Sequence, residues 1–307
     1  MNKESDFQEQ WLKNATITIY GLGLMGASLA MALRRAGIGK LIQAIDINPD
    51  SIQTGLDLGI IDYGSTTPGN FLPQSDLIIL AMPVGAICET LENLNAGLKT
   101  GVIVTDLGST KIEITKRMEN LPQHIAAVGG HPMCGMELNG IGAAKPDLYD
   151  GENFFLIPTS HTTTKTLSVL QYLISAIGAM PILTEAETHD QITALTSHLP
   201  YLISVALLTG VQQCMSGTDL AEPYIGSGFQ DMTRIAGSDK QMMLDILLTN
   251  RRHILTGLAS VEQTIVTVRR LLETEQNDAL QKLLTVQMDN SRQMNTRKMK
   301  RSVQWSK

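Results

Sequence analysis

The feature that most constrains this chain is a glycine turn set between a β-branched run and an amphipathic helical pattern. Ala15 to Tyr20 runs directly into Gly21-Leu22-Gly23-Leu24-Met25-Gly26, and Leu24 to Ala36 carries apolar residues at three- and four-residue spacing. In that context each glycine has its own task. Gly21 permits a tight turn, Gly23 lets the backbone approach a pyrophosphate, and Gly26 lets helix and strand pack closely, with the helix N-terminus facing the anion. A second strand pattern, Leu41 to Asp46, ends in a carboxylate twenty residues beyond Gly26, placed to accept both hydroxyls of an adenosine ribose. Together these elements predict a Rossmann-type dinucleotide domain, with Gly21, Leu22, Gly23, Leu24, Met25, Gly26 and Asp46 at the cofactor. A carboxylate at 46 repels a 2′-phosphate and no arginine follows it, so NAD is expected in preference to NADP. The competing role for Asp46 is local, a cap on the Pro49 helix or an Asx turn before Asn48.

The alternation continues to about Leu183. Asp76 to Ala81, Val102 to Asp106, Ala126 to Gly129, Phe154 to Ile157 and Pro181 to Thr184 read as further short strands. Between them Pro49 to Leu58, Val84 to Leu98, Lys111 to Met118 and Thr163 to Ile177 read as helices. This predicts an α/β fold, a doubly wound, mostly parallel sheet with helices on both faces, followed by an all-helical domain once strand patterns stop after Thr184. The expected organisation is a dinucleotide-binding domain at 15–183, a helical substrate and dimerisation domain at 184–288, and a basic end at 289–307. That end holds Arg292, Arg297, Lys298, Lys300, Arg301 and Lys307 against Asp289, and a frayed, solvated tail is expected. From Gln191 to Thr218 no side chain is charged, and the stretch is long enough to span a bilayer. Its Gln191, His198, Pro200, Gln212 and Gln213 suit a helix surrounded by protein better. So long an uncharged stretch also points to a subunit interface, a symmetric homodimer through the helical domain.

The net charge of −6 argues against nucleic acid or an anionic membrane as partner. Three cysteines, Cys88, Cys134 and Cys214, form no C-x-x-C pair and no disulfide framework, which fits a reducing, cytoplasmic setting. Met1 to Asn14 lacks the order of a signal peptide. No metal site is expected. There is no H-E-x-x-H, and His189 and His198, nine positions apart, fall on opposite faces of an ideal helix.

In open parallel sheets ligands bind beyond the carboxyl ends of the strands. Two such ends carry reactive groups: Asp106 leads into Leu107-Gly108-Ser109-Thr110-Lys111, and Val128 leads into Gly129-Gly130-His131-Pro132. A hydroxyl at Ser109 and an imidazole at His131 are the parts needed to take a proton from a carbinol while its hydride leaves. Ser109 also suits a plain N-cap for the helix containing Lys111. Arg234, among Ile, Ala and Met, suits either an ion pair with Asp231 or Asp239 or an anionic, small-molecule substrate.

The motifs GLGLMGASLA, AIDINPDS, TDLGSTK, VGGHPMCGME, THD followed by SHLP, and GFQDMTRIAGSD, in this order, resemble those of the prephenate and arogenate dehydrogenase family over most of the chain. The resemblance implies oxidative decarboxylation of prephenate to 4-hydroxyphenylpyruvate with hydride transfer to NAD, in tyrosine biosynthesis. His131 matches the family's base, Ser109 its hydroxyl partner at the imidazole and nicotinamide, and Arg234 the residue for the ring carboxylate. Glu137, Lys111, His189 and His198 match polar positions lining the cleft. Tyr201 stands where some members carry a second histidine, at the position that bears on the substrate's side chain, so arogenate is the alternative substrate. The short segments before the first strand and after the last helix leave no room for a fused chorismate mutase or a regulatory domain. Two other readings compete. A 3-hydroxyacid dehydrogenase needs a lysine base in the helical domain, but Lys240 lacks the accompanying glycines. A catalytically silent nucleotide-binding module has no use for both Ser109 and His131.

Overall fold

The computed structural model describes residues 3–69, 71–94, 97–136, 138–215 and 224–304. They form two compact units, Met1–Ile254 and Leu255–Lys307.

The first unit is built on an eight-stranded sheet: β1 (Thr16–Tyr20), β2 (Leu41–Ile45), β3 (Tyr63–Ser65), β4 (Leu77–Leu80), β5 (Ile103–Asp106), β6 (Ala126–Pro132), β7 (Asn153–Pro158) and β8 (Met180–Leu183). The spatial order is β3-β2-β1-β4-β5-β6-β7-β8. Every pairing is parallel except β6 with β7. The strands at the centre, such as β4 with all four residues buried, are continuous apolar runs because helices cover both faces. On one face α2 (Leu24–Arg35) and α7 (Thr164–Ala176) pack Leu29, Leu33, Leu173 and Ile174 near Ile17 and Ile19. On the other, α5 (Val84–Asn93) and α6 (Ile112–Met118) pack Ile87, Leu91, Ile114 and Met118 against Ile78 and Leu80. α3 (Pro49–Asp57) follows β2, and the short α4 (Phe71–Gln74) precedes β4.

Three details depart from the sequence reading. Lys3–Asn14 is a helix, α1, whose Leu12 is fully buried. β3 is a Tyr-Gly-Ser strand with no β-branched run to announce it. β6 continues past Gly129 to Pro132, because antiparallel β7 goes on pairing with it beyond the end of β5, setting His131 opposite Phe155.

After β8 the chain is helical. α8 (Ala186–Thr193) passes through one π turn at Ala194–His198 into α9 (Leu199–Cys214), then come α10 (Ser227–Thr233), a 3₁₀ turn at Arg234–Gly237 and α11 (Lys240–Thr249). Ala186–Cys214 is long and apolar enough, by length and composition alone, to cross a membrane. It is not enclosed by its own chain, since Ile192 is 53% and Leu195 49% exposed. The compact unit extends past Thr184 because these helices are tied to the sheet domain. Asp245 of α11 accepts from Gly85 N at 2.8 Å, and Thr249 shares a 2.9 Å bond with Thr110.

Most of α12 (Arg251–Glu273) and all of α13 (Asn277–Gln304) make up the second unit, joined through Glu275 at φ +50°. The basic end is helical as far as Gln304 rather than frayed, with its described side chains from Asp289 to Met294 exposed. Ile265, Leu272 and Leu284 are apolar and exposed on this unit.

Candidate active site

β1 delivers Gly21 at φ +102°, and a Cβ there would sit 2.4 Å from the Ala81 carbonyl oxygen just past β4, so only glycine turns at this point. A Cβ on Gly26 would lie 1.9 Å from the Gly21 carbonyl oxygen, which is why α2 can start directly on the turn. Around Gly23, nothing lies within 4 Å of such an atom. Gly23 is also the N-cap of α2 and offers no side chain to the helix's first N–H groups. Open space above uncapped helix donors fits a dinucleotide's pyrophosphate.

Asp46, just past β2, accepts from Leu22 N at 2.6 Å through Oδ2 and from Asn48 N at 2.8 Å through Oδ1. The local role expected of Asp46 is therefore formed. The carboxylate pins the glycine turn and opens an Asx turn, while Asn48 caps α3 by accepting from Asp50 N at 3.0 Å. A carboxylate has about four acceptor positions, so capacity remains for ribose hydroxyls.

Strands β1 to β6 run the same way and all end on this side of the sheet. His131 lies three strands from β1, about 14 Å at about 4.8 Å per strand. Its Nδ1 is 2.8 Å from His189 Nε2, and His189 Nδ1 is 2.7 Å from Asp190 Oδ1. All three residues are buried, and Phe155 packs edge-on against His189. The order of donors follows from the carboxylate, which only accepts. His189 Nδ1 carries a proton toward Asp190, and in the neutral ring its Nε2 accepts from His131 Nδ1–H. The free electron pair of His131 is then on Nε2, the nitrogen left for a substrate. Burial, reinforced by His189, Lys111 and His198, lowers the pKa of His131 well below the ordinary histidine value, so the ring is neutral.

The expected contact of Ser109 with the imidazole is not a hydrogen bond here; His131 Nδ1 meets His189 instead. Ser109 is half-buried in the bend after β5, and Lys111, rather than Ser109, is the N-cap of α6. Capping comes from far along the chain: Asp190 accepts from Lys111 N at 2.7 Å and from Ile112 N at 2.9 Å. Lys111 itself, expected to line the cleft, is wholly buried, with its ammonium on Asp106 and, at 2.6 Å, on the Gly130 carbonyl.

His189 and His198 do not oppose each other. The wider π turn between them reduces the half-turn offset of an ideal helix, and both are buried in one polar network through Asn250. Asn250 Nδ2 donates to the Asp190 carbonyl at 2.7 Å and to His198 Nδ1 at 3.2 Å. His198 therefore carries its proton on Nε2, and burial brings its pKa down to about 4. Tyr201 is half-buried at the start of α9, Arg234 is exposed where α10 gives way to the 3₁₀ turn, and Glu137 lies outside the described residues. Asp239 caps α11 by accepting from Met242 N at 2.8 Å. Asp190, Asp106 and Asn250 were not among the residues singled out from sequence. The only signal was that Asp190 directly follows His189 and Asp106 ends a strand.

The model of the family described as prephenate dehydrogenase, nucleotide-binding domain, matches residues 29–183, and that of prephenate dehydrogenase, dimerization domain, matches 185–286. The chain belongs to the prephenate/arogenate dehydrogenase family. A curated member of that family, prephenate dehydrogenase of Bacillus subtilis, is 32% identical over 86% of this chain and 72% of its own length. The solved prephenate dehydrogenase of A. aeolicus, in complex with hydroxyphenyl propionate and NAD+, superposes with a TM-score of 0.82 at 34% identity, covering 88% of this chain and 95% of that one. Synechocystis arogenate dehydrogenase superposes with a TM-score of 0.74 at 29% identity, covering 90% and 98%. Members of the prephenate/arogenate dehydrogenase family are oxidoreductases, and the nucleotide-binding domain matched here is one for a nicotinamide dinucleotide.

Proposed function

We propose that this chain oxidises prephenate to 4-hydroxyphenylpyruvate with loss of carbon dioxide, passing hydride to NAD, in tyrosine biosynthesis. The observation that carries the reading is the ordered contact from Asp190 through His189 to His131, which leaves an unprotonated Nε2 at a strand end on the cofactor side of the sheet. Bound NAD supplies the acceptor for hydride from the ring carbinol carbon. His131 Nε2 takes the hydroxyl proton, so the oxygen's electrons form the carbonyl as hydride departs. Breaking the bond to the ring carboxylate releases carbon dioxide; its electron pair enters the ring, the carbonyl pair returns to oxygen, and that oxygen takes the proton back from His131 to become the phenol, so the gain of aromaticity makes the step effectively irreversible.

Ser109 is the hydroxyl that orients the carbinol beside His131, and Arg234 is the cation for the ring carboxylate. His198 offers a neutral Nε2–H to a substrate oxygen, and Tyr201 bears on the side chain that separates prephenate from arogenate. Asp46 favours the free 2′-hydroxyl of NAD over the phosphate of NADP. Exposed Ile192 and Leu195, together with the family's dimerization domain at 185–286, support a homodimer in which a second copy covers this helix.

Mixing the purified protein with prephenate and NAD and following the absorbance of reduced nicotinamide tests this directly. Turnover with carbon dioxide release is the expected result. Turnover of arogenate alone would transfer the reading to that substrate, and silence with both substrates and both cofactors would remove it.

A further inference from the structure

The proposed mechanism makes no use of one fully buried ion pair. Asp106 and Lys111 are each 0% exposed and paired with one another. Asp106 Oδ1 accepts from Gly130 N at 2.9 Å, and Oδ2 accepts from Gly108 N at 2.7 Å as well as from Lys111. Lys111 Nζ donates to the Gly130 carbonyl at 2.6 Å. Both polar ends of residue 130 are therefore held by this one ion pair. The fit is close enough to need glycine there, since a Cβ on Gly130 would sit 2.3 Å from the Asp106 carbonyl oxygen. The next residue is His131.

Lys111 also reaches the other side of that imidazole. Its backbone N–H is bound by Asp190 Oδ1, the same oxygen that orients His189, whose Nε2 meets His131 Nδ1. One residue thus fixes His131 twice, at its backbone through the ammonium and at its ring through the main-chain amide. A buried ion pair of this kind is weak evidence for stability, because an apolar pair of similar volume often does as well. Its placement around one peptide argues for geometry.

We propose that Lys111 is a positioning residue for His131, acting through Asp106 and the Gly130 peptide and not through substrate. This rests on the reading of His131 as the base. The groups facing that ring are His189 from α8, His198 from the π turn and Lys111 from the start of α6, with Asp190 behind His189. Lys111 is the cation among them, its pKa lowered by burial with Asp106 opposing that, and its charge disfavours protonation of His131.

The test is the double variant Lys111→Met/Asp106→Asn, which replaces the ion pair by a neutral pair of similar size. Ring NMR of His131, read without substrate, is the deciding measurement. In the parent protein the ring should stay neutral well below pH 6.5 with the proton on Nδ1. In the variant, which loses the Lys111 cation and the Asp106 carboxylate together, the two tautomers should mix and the titration should change as the ring leaves its fixed place. Melting should stay within a few degrees of the parent, while kcat for prephenate falls about tenfold to a hundredfold with KM unchanged. An unchanged titration and tautomer, or a kcat that recovers along with the melting temperature, overturns the proposal. Should the double variant fail to fold, ¹⁵N NMR of the parent's Lys111 decides. A slowly exchanging ammonium at neutral pH supports the clamp, and a neutral or freely exchanging amine overturns it. Because the ring titration needs no substrate, a failure of prephenate turnover in the parent protein counts against the proposed reaction alone.

Discussion

Asp190 Oδ1 stands 2.7 Å from Nδ1 of His189, the residue immediately before it in α8. Adjacent helical residues ordinarily do not face one another. This pair meets because the Asp190 carboxylate is fixed from outside its own helix, by the amides of Lys111 and Ile112 at the start of α6. One carboxylate therefore caps a helix of the sheet domain, docks the first helix after it, and sets which nitrogen of His189 carries the proton.

Replacing that carboxylate by an amide separates these roles. In Asp190→Asn one of the two side-chain atoms becomes a donor and must oppose an N–H of Lys111, Ile112 or His189. The protonation order along His189 and His131 is lost, and kcat should fall by about 10²–10⁴-fold with a much smaller change in KM. Steady-state kinetics across pH checks this, and an unaltered kcat would dissociate the Asp190 contact from catalysis.

His131→Asn removes the base itself while keeping a side chain that can bond to His189. Turnover should drop by about 10²–10⁴-fold, with KM for prephenate nearly unchanged. The two substitutions are expected to be far from additive, because each disables the same proton acceptor. A double variant, His131→Asn/Asp190→Asn, with a rate near the product of the two separate losses would contradict the shared role.

How much of this was legible in the sequence depended on the range of each interaction. The glycine turn and Asp46 could be read because their partners lie within one βαβ unit, where spacing alone sets the geometry. His131 stood out because glycines and a proline flank it, yet its place inside β6 could not be read, since the pairing that extends the strand comes from β7, more than twenty residues later. Lys111 read as a cleft residue only through the family resemblance, which matches it to a polar position lining the cleft. Only the fold shows Asp106 and Gly130 closing around it. The nine-residue gap between His189 and His198 misled because a helix was assumed regular, and one π turn defeats that phase.

Arg234 is exposed in the single chain, beyond the end of α10. In the proposed role of cation for the ring carboxylate it would contribute a charge-assisted hydrogen bond of about 1.5–3 kcal/mol. Arg234→Gln should therefore raise KM for prephenate by about ten- to a hundredfold, with kcat less affected. Initial-rate kinetics decides, and a level KM assigns the residue to structure.

Asp46 supports the glycine turn, and the proposed function also gives it the ribose. Asp46→Ser removes the acceptor for Leu22 N and the charge that repels a 2′-phosphate. Affinity for NAD should weaken, and the ratio of kcat/KM for NADP over NAD should rise, by about tenfold or more. Parallel kinetics with the two cofactors gives the answer. A ratio that does not move would leave cofactor choice to other residues.

The buried histidines make the fold sensitive to acid. His198 has a folded pKa of about 4 against an ordinary 6.5, with burial as the chief cause and Asp190 partly opposing it. Below pH 6.5 the unfolded chain takes up a proton at this position that the folded chain refuses, so stability falls as the pH drops from 6.5 towards 4 and is fully present above that window. The loss over the whole window is on the order of 3 kcal/mol for this residue, and His131, lowered in the same direction by its burial, adds to it. Urea midpoints measured from pH 7 to pH 4 should decline steadily for the parent and less steeply for His198→Asn, which cannot take up the proton in either state. Equal slopes in the two proteins would mean that His198 is already protonated in the folded chain, and its role as a neutral donor beside Asn250 would have to be abandoned.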